Sequence, residues 1–226
     1  MIQAPKQKNT NPLAYFDTLL TNKEREILSS LSNPVKIQNY LDSIPYSAED
    51  ANRCPLQVLR EQQAHCLDGG LFAAAMLRRL GYPALVLEMQ PEKGMDDDHV
   101  LAIYKVKGSW GALAQSNYTG LRSREPIYRN LRELVMSYFE FFYNINGDKT
   151  LRSYSRPINL AHFDSVGWMW SLAGADAIEE HIKRVSIIPL LTQAQIDRLA
   201  SMDELSFQAG RIGINEAGLY VPQKKK

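Results

Sequence analysis

Gln62-Gln63-Ala64-His65-Cys66-Leu67-Asp68-Gly69-Gly70, running on into Leu71-Phe72-Ala73-Ala74-Ala75-Met76-Leu77, is the stretch that decides the fold. A polar approach gives way at Cys66 to a run of small and apolar residues, which reads as a helix over about 66–80, ended by Gly81. It carries little polar surface before Arg78 and Arg79, so it reads as buried on most sides, and its glycines and alanines suit close packing against a sheet. Three strand-like runs follow: Ala84–Met89, His99–Val106 and Trp110–Gln115, the last two joined by Lys107-Gly108-Ser109 as a hairpin turn. The acidic Asp96-Asp97-Asp98 loop joins the first two. A helix, then antiparallel strands, makes the fold class α+β.

Working outward, helix-start signals crowd the N-terminal quarter. Asn11-Pro12 and Asn33-Pro34 each place an N-cap before a proline, and Thr21 to Glu24 has capping-box spacing. Short helices are expected near 12–20, 22–31, 34–43 and 55–61. Beyond the strands, Leu131, Leu134, Val135, Tyr138, Phe139 and Phe142 recur at spacings of three and four, which predicts a core-facing helix over about 128–143. Further helices are expected near 174–184, 192–200 and 202–211, with residues 1–10 frayed and Lys224-Lys225-Lys226 a disordered tail. The 226 residues read as one domain, with a core over about 40–145 and a helical extension over about 160–215.

Composition narrows the function classes. The chain is 45% hydrophobic and 23% charged, with a net charge of +1, so nothing marks a nucleic-acid or membrane partner. No apolar run is long enough to span a bilayer, and the first residues lack the apolar core of a signal peptide. Two cysteines, Cys54 and Cys66, make a poor disulfide framework, which fits free thiols in a reducing cytoplasm.

Cys66 is the candidate nucleophile. A thiol at a helix N-terminus meets unsatisfied N–H groups and the positive end of the helix dipole, both of which favour the thiolate. His99 stands 33 residues downstream, at the start of a predicted strand, and a polar residue lies on the next one. Acyl transfer needs those three parts: a sulfur that attacks the carbonyl carbon, an imidazole that holds its proton, and a group that orients the ring. This order resembles the transglutaminase-like branch of the papain-type cysteine enzymes. The resemblance rests on His65-Cys66-Leu67-Asp68-Gly69-Gly70, on Asp98-His99-Val100 opening a strand, and on Gly108-Ser109-Trp110 in the hairpin, and it covers about residues 40–120. It implies a papain-like core with a central helix on an antiparallel sheet, Cys66 as nucleophile and His99 as general base. The family's usual Asp after the hairpin aromatic is missing here. Asn117 is the nearest chemical substitute, whereas strand alternation puts Ser116 on the face of Trp110, so both stand as the third member. The Cys66 backbone N–H is the natural oxyanion donor, with Gln62 or Gln63 as a side-chain addition.

The remaining motifs read as structure. His65, Cys66, Asp96, Asp97, Asp98 and His99 match no zinc spacing, and the acidic run lacks the glycine and terminal glutamate of a calcium loop, so neither a metal nor another cofactor is expected. Arg122, Arg124, Arg129 and Arg132 around Glu125 and Glu133 read as a salt-bridged surface. The expected function is a cytoplasmic thiol peptidase, amidase or transglutaminase-like enzyme acting on an amide bond of a protein, peptide or small molecule through a Cys66 thioester. The alternative is a catalytically silent binding or scaffolding module on the same fold.

Overall fold

The computed structural model describes residues 11–223, a mixed α+β arrangement built on an antiparallel sheet. The N-terminal helices begin where their caps predict: α1 (Pro12–Thr18), α2 (Asn22–Ser30), α3 (Pro34–Ser43) and α4 (Pro55–Glu61). Asn11 and Asn33 cap through their side chains, and Thr21 and Glu24 close a reciprocal capping box. The expectations about residues 1–10 and 224–226 lie outside the described residues.

Helix α5 (Cys66–Arg79) is buried from Cys66 through Leu77. It packs on β1 (Leu85–Pro91) and β2 (His99–Val106), which with β3 (Ser109–Leu113) are the three strands expected from the sequence. Lys107 and Gly108, both at positive φ, make the hairpin turn between β2 and β3. The sheet continues on both sides through strands that periodicity did not reveal. Its order is β4 (Arg124–Tyr128), β3, β2, β1, β5 (Leu151–Ser155) and β7 (Ile187–Pro189), with β6 (Ile158–Asn159) also pairing β1.

Two glycines explain how closely α5 approaches the sheet. A Cβ on Gly69 would stand 2.2 Å from the Gln115 Cβ, and one on Gly70 would stand 2.8 Å from a Val100 methyl. Strand alternation then divides the core. Val86, Val100, Ala102, Tyr104 and Leu113 pack under α5 with the N-terminal helices and α7 (Leu172–Ile182). Leu87, Met89, Leu101, Ile103 and Ala112 pack on the opposite face against α6 (Leu131–Met136) and the aromatic residues after it.

The expected helix over 128–143 is thus shortened. Residues 124–128 are taken into the sheet as β4, Asn130 caps α6, and a 3₁₀ turn at Phe139–Phe141 replaces the last turns. The arginines behave as surface anchors: Arg124 stacks on the Tyr138 ring 3.8 Å away, Arg129 pairs with Glu133 at 3.3 Å, and Arg122 with Asp42 at 3.5 Å. The C-terminal helices are α7, α8 (Gln193–Ile196) and α9 (Glu204–Gly210). Among the described residues no helix is long and apolar enough to cross a membrane.

Candidate active site

Cys66 is the first residue of α5, and its loop is fixed by a reciprocal cap that sequence reading passed over. His65 Nδ1 accepts from the Leu67 N–H at 3.2 Å, while Asp68 Oδ2 accepts from the His65 N–H at 3.2 Å. The fully buried Asp68 also accepts from the Arg53 N–H at 2.6 Å and lies 3.6 Å from the Arg53 guanidinium. The signal was available as His-x-x-Asp, a capping-box spacing with histidine in the place of serine or threonine. His65 is therefore a cap, and burial followed by the Arg53 charge pushes its pKa down to about 4.

The Cys66 side chain lines a cavity of about 350 Å³ shared with Tyr46, His65, Glu88, Asp98 and Glu179. Its Sγ lies 3.8 Å from the Asp98 carbonyl oxygen. The helix dipole does not prevail here. Burial, then the charges of Asp98 and Asp97, push the thiol pKa well above its ordinary value, against an opposing Val100 N–H turned toward the sulfur. This corrects the expected thiolate: a helix terminus contributes partial charges, whereas desolvation and two nearby carboxylates act on the full charge. Asp98 is itself raised to about 7, by burial and then by the neighbouring Glu88 carboxylate.

His99 opens β2, one residue beyond the carbonyl that touches the thiol. Alternation puts it on the side of Leu101 and Ile103, while Val100 takes the α5 side. It lines a second, smaller cavity of about 40 Å³ with Ser116 and Asn117. The two cavities share Tyr46, Asp97, Asp98, Gly218 and Tyr220 as walls. No hydrogen bond joins the sulfur to the ring. Instead His99 Nε2 lies 2.8 Å from the Leu121 carbonyl oxygen. A carbonyl only accepts, so the proton sits on Nε2 and Nδ1 carries the free lone pair. Burial pushes the His99 pKa down to about 4, with the Leu121 carbonyl opposing. Thiol and imidazole are both neutral near pH 7.

Neither Asn117 nor Ser116 hydrogen-bonds the His99 ring. Continuing the β2–β3 register past its last pair sets Ser116 opposite His99, but its Oγ accepts from the Tyr118 N–H at 3.0 Å. That turn carries the chain through the 3₁₀ turn Thr119–Leu121 and returns the Leu121 carbonyl to the ring. The Asn117 amide is engaged by the C-terminal segment: its Oδ1 accepts from the Asn215 N–H at 2.7 Å, and its Nδ2 donates to the Asn215 carbonyl at 2.9 Å. A backbone carbonyl against the ring has no residue signature, which is why sequence reading missed it.

The proposed oxyanion donors fare unevenly. Tyr46 lines the same cavity as Cys66. Gln62 adopts the left-handed conformation that ends α4 and donates to the Tyr40 hydroxyl at 2.7 Å. Neither Gln62 nor Gln63 lines the Cys66 cavity, because the chain turns away after α4. Cys54 caps α4, and both cysteines are free and buried. Among the described residues no three His, Cys, Asp or Glu side chains cluster as metal ligands. No family model matches the chain, and no curated protein matches it.

Proposed function

We propose that this chain is a thiol-dependent acyl-transfer enzyme of transglutaminase-like, papain-type design, acting on an amide bond. The observation that carries the reading is the tautomer of His99: Leu121 holds the Nε2 proton, which leaves Nδ1 basic in a cavity that shares its walls with the thiol's. In this reading Nδ1 takes the Cys66 proton as sulfur bonds to the carbonyl carbon. The imidazolium then returns that proton to the leaving amine as the C–N bond breaks, leaving a thioester on Cys66. Water or a second amine resolves the thioester. The pair starts neutral, so His99 acts as a general base during attack.

A second reading has its own support. Burial, then the charges of Asp98 and Asp97, holds the proton on the thiol, and no hydrogen bond links sulfur to ring. Those features suit a silent binding module. The two readings separate on thioester formation with p-nitrophenyl acetate, followed by mass spectrometry in a Cys54→Ser background. The enzyme reading expects acetylation of Cys66 at pH 7 to fall by about 10²-fold or more in His99→Ala. Because this is a ratio between two chains, it is unaffected by how often the cavity opens. Equal rates in both chains would overturn the enzyme in favour of the module.

A further inference from the structure

Residues 217–220, within the segment 215–223, line the cavities. Ala217 and Leu219 line the thiol cavity, and Gly218 and Tyr220 form part of the wall between it and the imidazole cavity. The segment is held by backbone recognition. Asn117 brackets residue 215 through the two bonds described above and reaches the Gly218 carbonyl at 3.4 Å. Asn215 Nδ2 donates to the Tyr46 carbonyl at 3.0 Å, and the Gln223 N–H donates to the Gly94 carbonyl at 2.8 Å. Gly218 lies so close to Tyr46 that a Cβ there would be 3.2 Å from the ring. Yet no residue from 211 to 223 is buried. A segment fixed by a few hydrogen bonds, with little apolar burial, opens at low cost compared with the core beneath it.

We propose that residues 215–223 are an autoinhibitory strap, clamped by Asn117 across the mouth of the Cys66 and His99 cavities, and that its release joins the two into one cleft. The Asn117 amide is then a clamp for extended backbone: its paired acceptor and donor match the N–H and carbonyl of any single residue in a passing strand. The occupant in this structure is the chain's own tail. The proposal rests on the acyl-transfer reading for its purpose, but gating is measurable without any catalysis.

The test is the rate at which iodoacetamide alkylates Cys66 in the full chain, in a Cys54→Ser background, at a fixed pH. Asn215→Pro removes the N–H that Asn117 accepts, and Gly218→Leu drives a side chain into Tyr46. Each is expected to raise the rate on the order of tenfold, the effect of losing one or two net hydrogen bonds, with an unchanged circular dichroism spectrum. A synthetic peptide of residues 214–223, added in trans, is expected to slow the opened variants again. Unchanged rates in both variants overturn the strap. Faster rates that the peptide does not reverse also overturn it, because they report loosening without an occupied subsite. All chains compared in this readout keep His99, whereas the enzyme reading is tested by His99→Ala against p-nitrophenyl acetate, so failure of the strap and failure of the enzyme reading give different results.

Discussion

At the scale of single residues, the environment of Cys66 is set by competition between a helix terminus on one side and burial, with nearby carboxylates, on the other, and burial with the carboxylates prevails. Asp98 offers a direct check. Its carboxyl has an ordinary pKa of 3.8 and is raised to about 7 in the fold, so it adds no penalty below pH 4 and a full one above pH 7. Asp98→Asn abolishes that penalty. The melting temperature of the variant relative to the parent is therefore expected to climb between about pH 4.5 and pH 8. A difference that stays constant across that range would mean that neither burial nor Glu88 raises the Asp98 carboxyl. Cys66 and His99 were legible at this scale because they are rare residue types at recognisable places. The Leu121 carbonyl was not, since every residue has one.

At the scale of elements, the decisive contact is α5 on β2. The small-residue helix and its three strands were readable from composition and alternation, and the structure has all four. Gly69→Ala is expected to destabilise the fold by about 1–3 kcal/mol or more, because the new methyl meets the Gln115 Cβ at 2.2 Å between backbone elements that cannot part. Urea unfolding measures this, and a loss within about 0.5 kcal/mol would show that α5 shifts freely on the sheet. The helix over 128–143 was over-read for a definite reason. Its apolar spacing is real, and Leu134, Val135, Tyr138, Phe139 and Phe142 are all buried, but a 3₁₀ turn satisfies the same spacing. Strand β4, with its alternating half-buried and exposed residues and its arginine, was hidden by charge.

At the scale of the whole molecule, the C-terminal third is tied to the core by specific polar contacts. Arg78, near the end of α5, forms a bidentate pair with Asp164 at 2.6 and 2.8 Å, and Asp164 also accepts from the Trp168 indole at 3.1 Å. Arg78→Lys keeps the charge and loses the fork, so it is expected to cost about 1–2 kcal/mol in urea unfolding. A neutral result would mean that apolar packing of Trp168 alone holds the two parts together. Such long-range pairs, like the grip of Asn117 on residue 215, join segments far apart in sequence and leave no local pattern, so the strap was not legible. What the sequence conveyed was local: caps, periods and the order of Cys66 before His99.

The most direct test of the central claim is the pH–rate profile of Cys66 acetylation, compared between the parent and His99→Ala. With His99 basic above about pH 4 and the thiol protonated well into alkaline pH, the parent rate is expected to be level from about pH 5 to 8. His99→Ala reacts only as thiolate, so its rate is expected to rise about tenfold per pH unit over the same range. If the parent follows that same slope, the imidazole does not take the thiol proton, and Cys66 and His99 do not work as a pair.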